Sequence, residues 1–376
     1  MRLTAIELYD LALPLSEPFV ISGGTMTVRR SLVVALHDDA GHVGWGESPP
    51  FELPFYSEET IDSARLLLQR VLIPRLLQRE VESPEAVDAL LCDGVRGNPF
   101  ARAALETAAW DLEADRRGTG LAQLLGERLG LVPASEITCG VALGIPPDRR
   151  VATLARWIED AVGQGYRRVK IKVAPGWDEA PVAEAQRVLA GTGLPLTVDA
   201  NGGYRWPEHE PALRAFDRTD LLYLEQPLAP DELVGHIRLS QALRTPVCVD
   251  ESLKGERAGR QLLELDGPRV WNVKVHRMGG LTEVCRVVRL ARAHGVRLWA
   301  GTMPESGLGS QAALAAAALP GFVYPSDLEP SARWFGPGVD VLELAMSPAG
   351  TMAVPARSIA GRLDQALFRA AARRLD

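Results

Sequence analysis

The sequence predicts an α/β fold, namely a parallel β/α barrel preceded by a smaller α+β domain. From residue 137 onward, β-rich segments alternate with helix-patterned segments, and the period is roughly 25 residues. A strand followed by a helix at this period is typical of a parallel barrel, and eight strands would close the ring. An open doubly wound sheet is disfavoured, because the sequence lacks the phosphate-binding Gly motif that would follow its first strand.

The predicted barrel strands are spaced evenly along the chain. They are Ile137–Leu143, Arg168–Val173, Leu194–Asp199, Leu221–Glu225, Pro246–Asp250, Val270–Val275, Val296–Ala300 and Phe322–Tyr324. The preceding residues have another pattern, in which three alternating strands come before three helices. These are strands Leu3–Leu11, Ser31–Asp38 and His42–Glu47, and helices Glu58–Gln78, Pro84–Leu91 and Phe100–Arg117.

The chain is therefore predicted to have three parts. Residues 1–130 form the α+β domain, 131–330 the barrel and 331–376 a C-terminal segment. The C-terminal segment is too long for a single barrel helix, because it includes residues 345–355 and the amphipathic stretch 358–375. We therefore expect the C-terminal segment to return to the N-terminal domain.

Composition and charge exclude several classes of protein. The chain of 376 residues has 41 Lys+Arg, 48 Asp+Glu and 47% hydrophobic residues, which excludes a mainly disordered chain. The net charge of −7 argues against binding nucleic acid through a basic surface. The four cysteines are scattered, the N-terminus has no signal-peptide pattern and the apolar runs are too short for a bilayer. We expect a cytoplasmic protein with no nucleic-acid or membrane partner.

Three acids end three successive predicted strands: Asp199, Glu225 and Asp250. Neighbouring strands lie ~4.8 Å apart, so these side chains can converge at the carboxyl end of the barrel. Carboxylates held so close repel one another unless a cation joins them, and an all-oxygen set favours Mg²⁺, with Mn²⁺ as a substitute. The structural alternative is that the acids cap the following helices.

Lysine is rare in this chain, with only Lys170, Lys172, Lys254 and Lys274 among 41 basic residues. Lysine is required where an amine must lose its proton, because guanidinium stays charged. Alternation puts Lys170 and Lys172 on the barrel-facing side of one strand, and Lys274 ends a strand across the ring. We expect Lys172 and Lys274 to flank the metal and to act on the α-proton of a carboxylate through an enediolate. Structural salt bridges between these lysines and the acids are the alternative. Lys254, in the polar stretch 252–256, is interpreted as a lysine that persists by chance.

Seven short motifs are spread over nearly the whole chain. They are GWGE (44–47), ARAALETAAWDLEA (101–114), KIK (170–172), DAN (199–201), EQP (225–227), DES (250–252) and NVK (272–274). Together they resemble the enolase superfamily, which implies a (β/α)7β-type TIM barrel with an N-terminal α+β capping domain. The paired lysines resemble the muconate-lactonising subgroup. Residues 14–24, 301–309 and 324–335 look most like o-succinylbenzoate synthases and N-succinylamino acid (N-acylamino-acid) racemases.

The resemblance implies a role for each matching residue. Lys172 would remove the α-proton, and Lys274 would stabilise the enediolate during loss of water in a synthase or return the proton in a racemase. The three acids would bind Mg²⁺. Two capping-domain loops, Phe19–Thr25 and Ser48–Tyr56, would close the site around a small carboxylate. The expected substrate contacts are Lys170, Asn201, Glu251, Phe19, Tyr56, Met303, Glu305 and Ser306. Relatives are usually symmetric, so a homo-oligomer is expected.

Several alternatives stay open. Ala142 stands where relatives often have Ser, and Pro304 and His276 are also unexpected, so the substrate is not fixed. A synthase and a racemase would use the same lysines and metal; neighbouring menaquinone-synthesis genes would favour the synthase. A dipeptide epimerase is disfavoured because the last strand supplies one acid, Asp327, where a pair is expected. Muconate cycloisomerase and a non-catalytic barrel that binds a metal or a small acid are further alternatives.

Overall fold

The N-terminal part of the chain is built on an antiparallel sheet. The computed structural model describes residues 1–21, 24–77 and 79–375. The sheet contains β1 (Leu3–Ile21), β2 (Gly24–Asp38), β3 (Val43–Ser48) and, from the end of the chain, β13 (Ala372–Leu375). Their order is β13–β1–β2–β3. The C-terminal segment thus supplies an edge strand to this sheet.

The first two strands are longer than predicted and form one hairpin. Phe19 pairs with Met26 and Val20 with Thr25, beyond an irregularity of the register that begins at Pro14. Residues of high β-propensity in both strands extend the ladder. The predicted loop 19–25 is therefore the end of this hairpin, and its residues 22 and 23 lie outside the described residues.

Helices follow the sheet, and the longest of them packs on it. They are α1 (Ile61–Leu67), a π-helical turn (Leu68–Leu72), α2 (Ile73–Leu76), α3 (Pro84–Cys92), α4 (Pro99–Arg117) and α5 (Leu121–Leu129). The predicted helix Glu58–Gln78 begins later, because Thr60 and Ser63 form a capping box. Its predicted last residue, Gln78, lies outside the described residues.

The central part of the chain contains a parallel sheet of seven strands. They are β5 (Val141–Leu143), β6 (Val169–Lys172), β7 (Leu196–Asp199), β8 (Leu221–Glu225), β9 (Val247–Val249), β10 (Val270–Val273) and β11 (Arg297–Ala300), hydrogen-bonded in that order. The helices between and after them are α6 (Val151–Gly163), α7 (Glu179–Leu189), α8 (Glu210–Ala215), α9 (Leu233–Ala242), α10 (Glu256–Glu264), α11 (Val275–Met278), α12 (Leu281–Ala293) and α13 (Gly307–Ala317). No helix in the described ranges is long and apolar enough to cross a membrane.

An irregular segment fills the eighth position of the ring. Phe322 pairs with Leu298 of β11, and Ser326 pairs with Cys139, each through an isolated parallel bridge. The segment therefore joins the two ends of the sheet. The prediction of a regular strand at Phe322–Tyr324 is wrong, because Pro325 has no N–H with which to extend the ladder. The predicted fold class, an α/β barrel with an N-terminal capping domain, is confirmed.

The predicted first barrel strand is divided at Gly140. Its first part, β4 (Glu136–Thr138), pairs antiparallel with β12 (Thr351–Ala353), and its second part, β5, belongs to the barrel. A Cβ at Gly140 would lie 2.6 Å from Nη2 of Arg168. Glycine is therefore required where the Arg168 side chain is packed into the barrel.

The C-terminal segment contacts both parts of the molecule. It contains α14 (Ser331–Trp334), then β12 below the barrel, then α15 (Gln365–Ala371) and β13 on the capping sheet. Asp364 caps α15 by accepting hydrogen bonds from two backbone N–H groups. The amphipathic stretch is thus divided between a short helix and a strand.

Two carboxylates of the capping domain cap helices of the barrel. Glu106, on α4, accepts hydrogen bonds from the backbone N–H groups of Leu281 and Thr282, both at 2.7 Å. Glu47, at the end of β3, accepts from those of Ser306 and Gly309 at the start of α13. Free N–H groups at helix starts favour such acceptors. The motifs around these two acids therefore fasten the capping domain to the barrel.

Candidate active site

Three buried acids stand side by side at the carboxyl ends of neighbouring strands. Asp199 is the last residue of β7, Glu225 is the last of β8, and Asp250 directly follows β9. Asp199 and Glu225 are partners in the strand register. Each acid is at most 1% exposed. Active sites of such barrels form at this end of the ring.

Lys172 and Lys274 lie at the two ends of this row of acids. Nζ of Lys172 donates to Oδ2 of Asp199 and to Oδ1 of Asn201, both at 2.5 Å. Nζ of Lys274 lies 3.0 Å from Oδ2 of Asp250. Lys172 ends β6 and Lys274 follows β10, so the three acid-bearing strands lie between the two amines.

Lys170 lies one layer deeper in the barrel. Its Nζ is 2.9 Å from Oε2 of Glu225, 2.5 Å from Oδ2 of Asp327 and 4.6 Å from the centroid of the Trp299 ring. Nη2 of Arg168 binds the other oxygen of Asp327 at 2.5 Å. Burial opposes the charge of Lys170, but the carboxylates, Asp327 foremost, raise its pKa well above the usual value.

The three acids of the row differ in how far neighbouring cations balance their negative charge. Burial, together with the charges of Asp199 and Asp250, raises the pKa of Glu225 to about 8. Burial alone would also raise the pKa of Asp250, but the charges of Arg277 and Lys274 lower it below its usual range. A further cation would therefore stabilise the ionised form of Glu225, the middle acid, most strongly.

The donor set suits a hard divalent cation. All three acids offer oxygen, and Oδ2 of Asp250 is buried with no hydrogen-bond partner apart from the ion pair with Lys274. In the described part of the chain, no three His, Cys, Asp or Glu side chains are already arranged as a metal site; the acids are instead paired with basic side chains. Oxygen donors with excess negative charge fit Mg²⁺ or Mn²⁺.

Arg277 is a site residue that sequence reasoning missed. Its Nη1 pairs with Oδ1 of Asp250 and donates to the hydroxyl of Tyr56 at 3.1 Å, while Nη2 donates to the carbonyl of Asn272. The Tyr56 hydroxyl also accepts from Nζ of Lys274 at 3.1 Å. The available signal was its short distance in sequence from Lys274, which directly precedes the short helix α11 that carries Arg277.

Asn201 and Glu251 connect Lys172 to the far side of the row. Asn201 has a φ of 42°, a conformation that Asn tolerates, and its backbone N–H donates to Oδ1 of Asp199. Its side-chain Nδ2 donates to Oε1 of Glu251 at 2.9 Å. Oε2 of Glu251 is buried without a hydrogen-bond partner. Burial, with the charge of Asp250, raises the pKa of Glu251 to about 7.

The predicted substrate contacts after β11 are already engaged within the protein. Met303 is buried in a small cluster with Phe51. Oε2 of Glu305 accepts from the backbone N–H of Met303 at 2.5 Å, and Oε1 has no hydrogen-bond partner. The Ser306 hydroxyl donates to Glu47. Their contact with substrate stays a prediction.

Phe19 brings the hairpin end of the capping sheet onto the barrel rim. Its ring packs edge to face on that of Trp334, with centroids 5.4 Å apart. The hydroxyl of Ser16 donates to the backbone carbonyls of Arg333 and Trp334, each at 3.1 Å. The hairpin therefore lies on α14, beyond the eighth position of the ring.

The segment at the eighth position of the ring carries two acids, not one. Glu329 follows Asp327 by two residues and was not among the predicted acids. Asp327 is shared by Arg168 and Lys170, as described above. Oε2 of Glu329 accepts from Nε of Arg333 at 2.7 Å, and Oε1 accepts from the backbone N–H of Ala142 at 3.0 Å. Both acids are thus satisfied by groups of the protein itself.

His276 is buried between the barrel rim and the capping domain. Its Nδ1 lies 3.8 Å from Oε1 of Glu305, and its Nε2 has no hydrogen-bond partner. Burial lowers the pKa of His276 to about 4, so the ring is neutral at physiological pH. This unexpected residue is therefore an uncharged neighbour of Lys274.

The sequence matches two family models that together span most of the chain. Residues 5–126 match the mandelate racemase / muconate lactonizing enzyme N-terminal domain, and residues 153–358 match the enolase C-terminal domain-like family. With the barrel and the site described above, these matches define the class of protein: the chain belongs to the enolase superfamily.

Within this superfamily, the chain is similar to two kinds of enzyme. It is 41% identical to N-succinylamino acid racemase of Thermus thermophilus over 94% of this chain and 93% of that one. It is 38% identical to o-succinylbenzoate synthase of Geobacillus stearothermophilus over 88% and 85%. A solved structure of a probable mandelate racemase from Alicyclobacillus acidocaldarius is 36% identical, covers 100% of this chain and 99% of that one, and has a TM-score of 0.89.

Proposed function

We propose that this protein acts on the α-proton of a small carboxylate, as an o-succinylbenzoate synthase, an N-succinylamino acid racemase, or both. The observation that carries the proposal is the position of Lys172 and Lys274 at the two ends of a row of three buried acids. The names of the relatives in Thermus and Geobacillus support these two reactions.

We assign the cofactor role to Mg²⁺, with Mn²⁺ as a substitute, held by Asp199, Glu225 and Asp250. When bound, the cation would stabilise the negative charge that develops on the substrate as its α-carbon loses a proton. The all-oxygen donor set and the raised pKa of Glu225 support this assignment.

The two lysines act from opposite faces of the substrate. Lys172 takes the α-proton, and Asp199 and Asn201 hold its Nζ in place. Lys274, held by Asp250 and Tyr56, acts on the other face. In racemisation it returns a proton to the α-carbon, and in the synthase reaction it stays protonated and stabilises negative charge while water leaves.

A dipeptide epimerase is a weaker candidate. Such an enzyme needs free carboxylates to hold a substrate ammonium group, whereas Asp327 is paired with Arg168 and Lys170 and Glu329 with Arg333. The muconate lactonizing enzymes of Pseudomonas fluorescens and Pseudomonas putida are 24% and 21% identical to this chain, and this likeness shows the fold alone.

Solvent deuterium exchange tests the proposal. In D₂O with Mg²⁺, the wild-type protein should exchange the α-proton of both enantiomers of an N-succinylamino acid, as measured by proton NMR. Lys172→Ala should lose exchange with one enantiomer and Lys274→Ala with the other. Lys254→Ala is the matched control, because this lysine is exposed at the rim. Lys172→Ala should also lose dehydration of the cyclohexadiene precursor of o-succinylbenzoate.

Two results would count against this function. Absence of both exchange and dehydration with Mg²⁺ and with Mn²⁺ would reject the substrate class. A protein that only binds a metal or a small acid would keep its affinity in Lys172→Ala and would show no exchange in the wild type.

We also propose a cytoplasmic homo-oligomer that takes a small carboxylate as its substrate. Four scattered cysteines and a net charge of −7 support a reduced environment and a partner other than nucleic acid. Light scattering after size-exclusion chromatography measures the assembly, and a monomeric mass would reject this part of the proposal.

A further inference from the structure

A single buried guanidinium joins the capping domain to the barrel rim beside the site. Arg29 lies on β2 and is 2% exposed. Its Nη1 donates to the carbonyl of Pro50 at 3.0 Å, and Nη2 donates to that of Pro49. Nε donates to the carbonyl of Pro304 at 3.0 Å and Nη2 also to that of Met303 at 3.1 Å. One side chain thus binds two loops that come from different domains.

Only arginine can make this set of contacts. The guanidinium offers five N–H groups in a rigid fork, whereas lysine offers three on one atom. The group lies over the Phe51 ring, 4.8 Å from the centroid. Burial lowers the pKa of Arg29 to about 10, opposed by the charges of Glu47, Glu305 and Glu52. The side chain therefore stays charged, and its charge is directed at backbone carbonyls.

Both loops held by Arg29 lead to the surroundings of Lys274. The capping loop runs from Pro49–Pro50 to Tyr56, whose hydroxyl accepts from Lys274. The rim loop carries Met303, which packs in the small buried cluster together with residues of the capping loop. Lys172, in contrast, is held by Asp199 and Asn201, which belong to the barrel alone.

We propose that Arg29 is a positioning residue that sets the place of Tyr56 over Lys274 by joining the capping loop to the rim loop. The effect on catalysis rests on the function proposed above. Because Tyr56 contacts one lysine of the pair, loss of the Arg29 contacts should impair the half-reaction of Lys274 more than that of Lys172. A residue that only stabilises the fold would lower both rates equally.

The first experiment compares the two half-reactions. The α-proton exchange rates of the two enantiomers at saturation report on Lys274 and Lys172 separately. In Arg29→Lys, the ratio of the Lys274 rate to the Lys172 rate should fall at least about tenfold, which is about 1.4 kcal/mol. Arg30→Lys is the matched control, because this neighbouring arginine forms an ion pair with the exposed Glu52 of the same loop. Tyr56→Phe should lower the same ratio. In the variant that carries both substitutions, the ratio should be no lower than in the more impaired of the two single variants. An unchanged ratio, or additive effects, would overturn the proposal.

The second experiment needs neither substrate nor metal. Hydrogen exchange followed by mass spectrometry should show faster exchange at residues 49–56 and 302–306 in Arg29→Lys than in the wild type. Exchange at β6–β9 should be unchanged, which shows that the barrel remains folded. Arg29→Gln is the second variant if the lysine variant is unstable. If both loops are equally protected from hydrogen exchange in the variant and the wild type, the role of Arg29 is rejected, even if the wild type is an active enzyme. If the loops of the variant exchange faster but the wild type has no activity, only the proposed function is rejected.

Discussion

Lys170 and Asp327 form an ion pair of 2.5 Å inside the barrel, one layer below the acids of the site. Asp327 also binds Arg168, so one carboxylate balances two buried cations. It therefore holds Lys170 in place independently of Glu225 and Asp199, the other two acids that pair with that lysine. The acid at the eighth position supports the site from below.

Asp327→Asn should destabilise the protein and lower its activity. The substitution leaves two buried cations without their shared counter-charge, and breaking such a buried pair costs about 3 to 5 kcal/mol. Urea unfolding measures the loss, and α-proton exchange measures the activity. Asp62→Asn is the control, because its salt bridge with Arg65 is exposed on both sides and should contribute little. Equal stability of the Asp327 variant and the wild type would contradict the buried pairing.

Mg²⁺ should raise the melting temperature of the wild type. A ligand that binds only the folded state stabilises it by about 2.7 kcal/mol at one hundred times its Kd. Asp250→Asn should abolish most of this shift, because it removes one of the three oxygen donors. The measurement is calorimetry with EDTA and with added Mg²⁺. An identical shift in the variant would mean that the cation binds elsewhere.

Glu106 should make stability depend on pH. Burial raises the pKa of Glu106 from 4.5 to about 7 in the folded protein. The contribution of the protonated Glu106 to the free energy of unfolding is therefore complete below pH 4.5. It is lost as the pH rises through 7, and the change is about 3 kcal/mol. The free energy of unfolding of the wild type should fall relative to that of Glu106→Gln across this interval. A constant difference between the two proteins would exclude a raised pKa.

Gly140→Ala should destabilise the barrel. The new Cβ would lie 2.6 Å from the guanidinium of Arg168, which is buried and cannot move away without breaking its bond to Asp327. Such overpacking costs about 1 to 3 kcal/mol. Gly144→Ala is the matched control, since a Cβ there would meet no atom within 4 Å. Equal melting temperatures for the two variants would show that Arg168 adapts without cost.

The strands that carry the site were predictable because their side chains alternate in the sequence. Lys170 and Lys172 lie on one face of β6, and Asp199 and Glu225 end the next two strands, as the spacing predicts. Parallel strands that end at one edge of the barrel then bring these groups together. Two-residue periodicity and the topology of the barrel were sufficient for this part of the site.

The contacts that hold the site together were not predictable in the same way. Arg277 follows the strand on a helix of four residues, and its contact with Tyr56 joins positions far apart in the sequence. The bonds of Arg29 go to backbone carbonyls, which leave no pattern of residue types. The irregular eighth position reflects Pro325, whose effect on the ladder depends on its neighbours in space.

The carboxylates of Glu47 and Glu106 have a consequence for how the chain can be divided. Each accepts hydrogen bonds from the first residues of a barrel helix. A fragment that begins after residue 130 would therefore start two helices with unsatisfied donors, and the isolated capping domain would expose Trp110 and Ala114, which pack in the hydrophobic core of the barrel. We expect neither half to be stable when expressed separately, so that the two halves behave as one cooperative unit during folding and evolution.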